Sequence, residues 1–320
     1  MTTSPVLKHD TVLLEESVDA LAIEPGDTVV DATLGGAGHF RLMLSKLDAT
    51  GTLVGIDADA DALVRAQKVV DEVPLAIRPT VHLLNGNFRD LASLLASKEL
   101  TPNKVLFDLG WSAFHLARGR GFSFQTDEPL LMTYGDPEEG TTAADLVNHL
   151  SEESLADLLW SLGEERFAKT IAKSIVSSRD EHPIETTFDL VAAIEAGTPT
   201  WYKNRRINPS TKTFQALRIA ANDELGALRE GLASAMTLVP AGGRVAVISF
   251  HSIEDRIVKT MLREAVAEGK GTLPHRKPVV PSFEETKKNP RARSAKLRVF
   301  VSGPSLSKSH INLTSFPAYA

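Results

Sequence analysis

The sequence contains no cysteine among its 320 residues. Disulfides, thiolate metal sites, iron–sulfur clusters and a cysteine nucleophile are therefore excluded, and the composition suits a reducing compartment. No apolar run approaches the ~20 residues of a membrane span. The first ten residues also lack the charged and apolar regions of a signal peptide. We therefore expect a soluble, cytoplasmic protein without a membrane partner.

Basic residues are outnumbered by acidic ones but are concentrated in two segments. The chain has 35 Lys and Arg against 41 Asp and Glu, a net charge of −6. Basic segments on an acidic body predict contact with nucleic-acid phosphates, although solvated loops are equally expected from charge alone. Trp201, Tyr202 and Phe214 in the first segment favour RNA, because bases stack on aromatic faces. The basic residues that stand out are Lys203, Arg205, Arg206, Lys212 and Arg218 in the first segment, and Arg291 and Arg293 in the second.

Apolar strands alternate with helical segments in the first third of the chain and return near its end. This alternation predicts βαβ units and a parallel sheet. A helical middle includes a Thr186…Asp189 capping box. We expect a Rossmann-like α/β sheet domain of residues 1–109 and 208–320, interrupted by a helical insert of residues 110–207. The Pro- and Lys-rich segment 269–293 predicts a mobile loop. The predicted strands are Asp27–Leu34, Thr52–Ile56, Val81–Leu84, Lys104–Phe107, Arg244–Phe250 and Lys296–Val301.

A glycine-rich turn follows the first predicted strand. Gly35, Gly36, Ala37 and Gly38 lead into a helix, and Asp57 ends the next strand about 20 residues later, the placement of an acid that binds ribose hydroxyls. The pattern suits NAD, FAD or S-adenosylmethionine, and a plain tight turn with a helix-capping Asp57 is the alternative. The spacing is not G-x-G-x-x-G, and Asp31 before the turn could serve an amino-acid group. Both features favour S-adenosylmethionine.

Asp108 ends the strand Lys104–Phe107, at an edge where open α/β sheets bind ligands. Methyltransferases that act on exocyclic base amines need an acceptor for the amine N–H groups, because the nitrogen lone pair is otherwise delocalised into the ring. A carboxylate at this place is suited to that task. An ordinary helix-capping Asp is the alternative.

Long, distinctive motifs extend across the chain. They are Asp31-Ala-Thr-Leu-Gly-Gly-Ala-Gly-His39, Gly163-Glu-Glu-Arg-Phe-Ala-Lys169, Thr213-Phe-Gln-Ala-Leu-Arg-Ile219, Ser249-Phe-His-Ser-Ile-Glu-Asp-Arg-Ile-Val-Lys259 and Asn289-Pro-Arg-Ala-Arg-Ser-Ala-Lys-Leu-Arg-Val299. With these motifs the sequence resembles the bacterial RsmH (MraW) family of small-subunit ribosomal RNA cytosine-N4 methyltransferases. The resemblance implies a class I methyltransferase fold with an inserted helical substrate-recognition domain. It also implies a cytidine target in the decoding region of 16S ribosomal RNA.

The same resemblance implies roles for individual residues. The turn from Gly35 to His39 would lie against S-adenosylmethionine, Asp57 would take its ribose hydroxyls and Phe88 would flank its adenine. Asp108 would sit beside the methionine end and the target amine, and Ser112 would assist it. A family glutamine falls on His115, which still offers a hydrogen bond.

Several positions depart from the family pattern. Ala37 replaces a glycine, which is harmless where φ is negative but places a methyl group near the cofactor. The segment 112–117 lacks the family's second serine and its aspartate, at Ala113 and Ala117. Leu131 and Thr133 replace an Asp and an Arg, so a charged pair is lost.

The RNA contacts expected from these patterns are Arg205, Arg206, Lys212, Arg218, His251, Arg291 and Arg293. His251 lies either at the rim of the active site or in a structural link between a strand and a helix. We find no metal-ligand spacing and expect no metal requirement. Three other functions stay open: a DNA amino-methyltransferase, a nicotinamide dehydrogenase, and a non-catalytic or altered-specificity RNA-binding relative that acts in ribosome assembly.

Overall fold

The computed structural model describes residues 11–110, 119–135, 137–138, 140–203, 205 and 208–304. They divide into two compact units. We call residues 11–110 and 229–304 the sheet unit, and residues 119–228 the helical unit. The helical unit extends past residue 207, where the sequence analysis placed the end of the insert. The assignment of these parts to catalysis and substrate recognition stays a prediction.

The sheet unit is built on a seven-stranded sheet in the order β3-β2-β1-β4-β5-β7-β6. Strands β1 to β5 are parallel, and β7 runs antiparallel between β5 and β6. Chain order reverses beside β1, and ligands of open α/β sheets bind outside the carboxyl ends of the strands at such a point. The strands are β1 Thr28–Asp31, β2 Thr52–Asp57, β3 Thr80–Asn85, β4 Lys104–Asp108, β5 Arg244–Ser249, β6 Gly271–Thr272 and β7 Lys296–Ser302.

The predicted α/β sheet is therefore confirmed, because every predicted strand is present with its ends shifted by only a few residues. Central strands are apolar and fully buried, as in Val29 and Val30 of β1. Helices cover the sheet, and Phe40 and Met43 of α2 are completely buried in its core. The helices of this unit include α1 Leu14–Leu21, α2 Gly38–Lys46, α3 Ala60–Asp71, α4 Leu91–Ala96, α12 Ser252–Ala267 and α13 Phe283–Lys288, with 3₁₀ turns at Phe88–Asp90 and Pro290–Ser294.

The prediction of a mobile loop at residues 269–293 was wrong. The segment contains β6, α13 and the start of the second 3₁₀ turn, and Val279 pairs with Leu297 of β7. The Leu13 N–H donates to Glu285 Oε1 at 2.8 Å, and Ala292 is fully buried in the core. Long-range anchors of this kind leave no signal in local composition.

The helical unit has its own apolar core. Helices α6 (Glu152–Gly163) and α10 (Ser210–Ala221) approach closely, since a Cβ on Gly163 would lie 2.6 Å from the Lys212 carbonyl oxygen. The predicted capping box is confirmed: Thr186 and Asp189 cap α8 reciprocally. The described helices are α5 Ala143–His149, α6 Glu152–Gly163, α7 Ala168–Glu181, α8 Thr187–Ala196, α9 Thr200–Lys203, α10 Ser210–Ala221 and α11 Glu224–Leu238, and the boundary between the units falls within α11.

Within the described residues, no helix has both the length and the apolar character that crossing a membrane requires.

Candidate active site

The turn after β1 joins three strand ends. Thr33 lies in this turn, and its hydroxyl accepts the Asp108 backbone N–H at 2.7 Å, which ties the turn to the end of β4. Gly35 has φ +46° and donates its N–H to Asp57 Oδ2 at 2.8 Å, which ties the same turn to the end of β2. The polar groups that end β1, β2 and β4 are thus fixed around one short segment.

Ala37 adopts a left-handed conformation, with φ +61°. Alanine would replace the family glycine without cost only if φ were negative at this position. Because φ is positive, the Cβ of Ala37 costs roughly 1 kcal/mol. Ala37 is the N-cap of α2 and is buried in the apolar core. Burial of its methyl group offsets part of the backbone strain.

Gly38 is required by a protein contact. A Cβ at this position would lie 1.9 Å from Thr11 Oγ1 and 2.9 Å from Thr11 Cβ. The start of α2 therefore packs directly on the segment before α1. A glycine motif usually indicates close approach to a ligand, but here at least one of its glycines accommodates a side chain.

The Asp57 carboxylate is held by two backbone N–H groups. Gly35 donates to Oδ2, and Asp59 donates to Oδ1 at 2.8 Å. Burial raises the pKa of Asp57 above its ordinary value, against the lowering effect of these two hydrogen bonds. Asp59 in turn pairs with Arg65, whose Nε also donates to the Gly35 carbonyl at 3.0 Å. Each Asp57 oxygen keeps a second lone pair for a further donor.

Asp31, His39 and Asp108 form a buried polar cluster at the carboxyl ends of β1 and β4. His39 Nδ1 lies 3.4 Å from Asp108 Oδ2. Asp31 is 1% exposed, and its Oδ1 accepts the Thr33 N–H at 3.2 Å. Within the described residues, Asp31 Oδ2 and Asp108 Oδ1 are buried and have no hydrogen-bond partner. Two unsatisfied carboxylate oxygens are costly in a protein interior, so the cluster is suited to a cationic or N–H donor.

Ionisation in this cluster is shifted by burial and by neighbouring charges. Burial raises the pKa of Asp31 to about 7, and the negative charges of Asp108 and Asp57 add to that effect. Burial alone would lower the pKa of His39, but the Asp108 hydrogen bond and the charges of Asp108 and Asp31 outweigh it and raise the pKa. A carboxyl group with a pKa shifted this far, beside a specific charged partner, is a candidate functional group.

Phe88 follows β3 at the neighbouring strand end. Its ring meets Phe107 of β4 edge to face, with centroids 5.6 Å apart, and is half-buried. Gly231 of α11 packs against it, since a Cβ there would lie 2.8 Å from Phe88 Cδ2. Phe88 is thus a fixed, partly open aromatic surface.

The predicted RNA-binding residues differ in the exposure of their side chains and in their protein partners. Arg291 and Arg293 are exposed, because Ala292 between them is fully buried and directs both side chains outward. Arg205 is exposed and lies over the Tyr202 ring. Lys212 Nζ donates to the Glu164 carbonyl at 2.7 Å.

Arg218 and His251 have protein partners instead. Arg218 is 8% exposed and forms a bidentate pair with Glu224, at 2.8 and 2.9 Å. His251 caps α12 in a reciprocal box with Glu254, which is the structural link between strand and helix that the sequence left open.

The departures at Leu131 and Thr133 come just before Tyr134 in the chain, and Tyr134 contacts that same Glu224. Tyr134 OH donates to Glu224 Oε1 at 2.8 Å, and the Tyr134 N–H donates to Asn222 Oδ1 at 2.9 Å. Tyr134, Glu224 and Arg218 therefore form one hydrogen-bonded network, and its tyrosine directly follows Thr133 in the sequence. Thr133 itself is buried.

Other predicted residues lie outside the described residues: Ser112, Ala113, His115, Ala117 and Arg206. Two site residues had been missed. Thr33 could have been found as a hydroxyl within the turn that joins the strand ends. Arg65 had no local signal, because its partners are Asp59 and the distant Gly35 carbonyl.

The strand order with its antiparallel β7, the glycine turn after β1 and the acid that ends β2 together define a class I methyltransferase. The chain belongs to the MraW methylase family, whose model matches residues 6–302. Membership confirms the predicted methyltransferase class and S-adenosylmethionine as its cofactor.

The sequences of curated relatives match this chain over most of its length. A Deinococcus radiodurans protein is 48% identical over 297 residues, covering 92% of this chain and 90% of the relative. A Koribacter versatilis protein is 45% identical over 295 residues, covering 91% of this chain and 92% of the relative. Both are called ribosomal RNA small subunit methyltransferase H.

Proposed function

We propose that the protein methylates N4 of a cytidine in the decoding region of 16S ribosomal RNA, in the cytoplasm, with S-adenosylmethionine as donor. The name of the relatives supports a small-subunit ribosomal RNA substrate. The observation that carries the chemistry is a pair of buried oxygens, on Asp31 and Asp108, that have no hydrogen-bond partner among the residues the structure describes. An amino-acid ammonium group and a base amine are the kinds of donor that such oxygens require.

The residues at the strand ends fit the donor. Asp57 would accept the ribose hydroxyls with the lone pairs that its backbone contacts leave, and Phe88 would lie against the adenine. The turn of Gly35, Gly36, Ala37 and Gly38 would bring backbone and His39 beside the methionine end, and His115 would add a hydrogen bond. The carboxylates favour a cationic donor over a neutral thioether product, which promotes product release.

S-adenosylmethionine supplies an electrophilic methyl group that the cytosine N4 takes by direct displacement. Asp108 would accept an N–H of the amine and turn the nitrogen lone pair toward the methyl group, with Ser112 assisting. Positioning and desolvation would supply most of the rate. The proton released afterwards would pass to solvent or to a nearby carboxylate. The cytidine must leave its stack to reach the buried cluster.

The exposed arginines would hold the RNA backbone. Arg291 and Arg293 project from the sheet unit, and Arg205 and Lys212 belong to the helical unit, whose insert of residues 110–207 would recognise the substrate. Arg206 is a further candidate, whereas His251 is engaged as the cap of α12. Arg218 is omitted, because its guanidinium is already paired with Glu224 in the interior.

Methyl transfer from labelled donor to undermethylated small subunits tests the proposal. Asp108→Ala should retain the fold but abolish transfer, whereas Asp90→Ala, on an exposed residue, should leave transfer intact. Near-normal turnover in Asp108→Ala would remove this carboxylate from the mechanism. RNA binding by the wild type without any transfer would instead indicate a non-catalytic assembly factor.

A further inference from the structure

The helical unit carries an aromatic cluster that the chemistry of methyl transfer does not use. Trp201 of α9 is 53% exposed, and its ring meets Phe167 and Tyr202 at centroid distances of 5.7 and 5.8 Å. Phe167 and Tyr202 are 4.7 Å apart. Tyr202 is buried and Phe167 is half-buried, so Trp201 is the part of the cluster most open to solvent.

Two arginines lie over these rings. The Arg166 guanidinium is 5.7 Å from the centroids of both Phe167 and Trp201, and the Arg205 guanidinium is 5.7 Å from that of Tyr202. Both arginines are exposed. Planar guanidinium groups on aromatic rings provide a flat surface together with positive charge.

The surroundings add further positive charge. Lys169 and Lys203 are exposed on the same two segments, and Glu164 is the exposed acid beside Arg166 in the chain. Glu165 is fully buried and turned away from solvent. A local excess of cations on a chain with a net charge of −6 favours a polyanion over an acidic or neutral partner surface.

The buried Glu165 fixes the two segments that carry the cluster. Tyr202 OH donates to both of its carboxylate oxygens, at 3.1 and 3.0 Å, and the Phe167 N–H donates to Oε1 at 2.8 Å. Burial raises the pKa of Tyr202 to about 12, and the hydrogen bond and charge of Glu165 add to this, so the phenol stays a donor. The aromatic surface is therefore held in place before any ligand binds, which lowers the entropic cost of binding.

We propose that Arg166, Phe167, Trp201 and Arg205 form a stacking platform for an unpaired base of the single-stranded RNA that the protein binds. The platform rests on the proposed function and names a contact surface for its RNA substrate. A base would stack on the exposed Trp201 ring, and the arginines would contact the adjoining phosphates. Glu165 and Tyr202 are positioning residues, since they do not face the RNA.

Binding of a fluorescein-labelled single-stranded RNA oligonucleotide to the full chain tests the platform. Trp201→Ala should weaken binding about 5- to 100-fold, the range expected for loss of one stacked base. Trp201→Phe should recover most of that loss, because a ring remains. Arg166→Gln should flatten the dependence of log K on log salt by about 0.7, the effect of one phosphate contact to a single strand. RNA should also quench a component of tryptophan fluorescence that Trp201→Ala removes.

Trp160 provides the matched control. It is a tryptophan of the same unit, 64% exposed on α6. Trp160→Ala should therefore leave RNA affinity and quenching unchanged. Equal affinity of wild type, Trp201→Ala and Trp160→Ala overturns the platform, and so does self-association through Trp201 without any effect on RNA binding.

Calorimetry of S-adenosylmethionine binding and an assay of methyl transfer by the wild type distinguish a failure of the platform from a failure of the proposed function. Intact transfer with unchanged RNA affinity in Trp201→Ala overturns the platform alone. Weakened RNA binding in Trp201→Ala, together with a wild type that transfers no methyl group, supports the platform and overturns the proposed function.

Discussion

His39 Nδ1 lies 3.4 Å from Asp108 Oδ2, inside a cluster that also holds the buried Asp31. The contact joins the first turn of α2 to the end of β4, so it links the glycine turn to the proposed catalytic carboxylate. Burial opposes the His39 charge, yet the Asp108 hydrogen bond and the two carboxylates raise the pKa of His39 above its ordinary value of 6.5. His39 therefore keeps its proton to a higher pH than an ordinary histidine, and in its protonated form it orients the Asp108 carboxylate.

Replacement of His39 should change how methyl transfer depends on pH. In the wild type, kcat at saturating donor should fall as pH rises through the raised pKa of His39, because Asp108 loses its cationic partner. His39→Gln retains an N–H donor without a charge, so its kcat should be flat over the same range. The measurement is a pH profile of both proteins, with donor affinity recorded at each pH. Superimposable profiles would show that His39 does not control Asp108.

Asp31 should make stability depend on pH. Its pKa is raised from 3.8 to about 7 in the folded chain. A raised carboxyl pKa contributes stability that is fully present below pH 3.8 and is lost as pH rises through about 7. The loss is on the order of 4 kcal/mol at 1.36 kcal/mol per pH unit. In thermal unfolding without ligand, the Tm of Asp31→Asn should therefore rise relative to the Tm of wild type as pH increases from 4 to 7.

Asp19→Asn is the matched control for this experiment. Asp19 is exposed and lies 3.7 Å from Lys46 at the surface. Its removal should shift Tm little and without the same dependence on pH, because surface pairs contribute little. Parallel curves of Tm against pH for wild type and Asp31→Asn would contradict the burial of an uncompensated carboxylate.

Loss of the Asp57 carboxylate should weaken donor binding far more than turnover at saturation. Asp57→Asn still accepts the Gly35 or Asp59 N–H but loses the charge-assisted acceptor for ribose hydroxyls. We expect the donor Kd to rise about 10- to 100-fold, the loss of one or two hydrogen bonds to a charged group. Calorimetry measures this directly, and Asp71→Asn, on an exposed residue of α3, is the control. An unchanged Kd would place the ribose elsewhere.

Arg291 and Arg293 should contribute to RNA affinity through charge alone. Their joint replacement by Gln should weaken binding at low salt and flatten the slope of log K against log salt by about 0.7 for each phosphate that the protein no longer neutralises. Arg263→Gln with Lys259→Gln on α12 provides a pair of equal charge outside the predicted RNA-binding residues. RNA binding titrations over a salt series measure the slopes. A slope equal to that of wild type would assign both arginines to the solvated surface.

Local sequence pattern predicted the strands and the acids that end them. Asp57 and Asp108 were identified because a polar residue after an apolar strand lies at the same sheet edge as its neighbours. The capping box at Thr186 could likewise be predicted, because both of its partners lie within one helical turn.

Contacts between distant residues could not be predicted in this way. The left-handed Ala37 and the contact of Gly38 with Thr11 depend on how α2 packs. Arg218 looked like an RNA contact because the preceding residues are basic, but its partner Glu224 comes only in the next helix. Segment 269–293 was misjudged because Ala292 and Glu285 anchor it to distant parts of the sheet unit.

Mapping of the methylated atom tests the central claim most directly. Small subunits from cells without this methylation are incubated with the purified protein and labelled donor, and the RNA is digested and analysed by mass spectrometry. N4-methylated cytidine should appear in the decoding region with the wild type and be absent with Asp108→Ala. Label on another atom, in another region, or undiminished in Asp108→Ala would contradict cytosine-N4 methylation by this strand-end cluster.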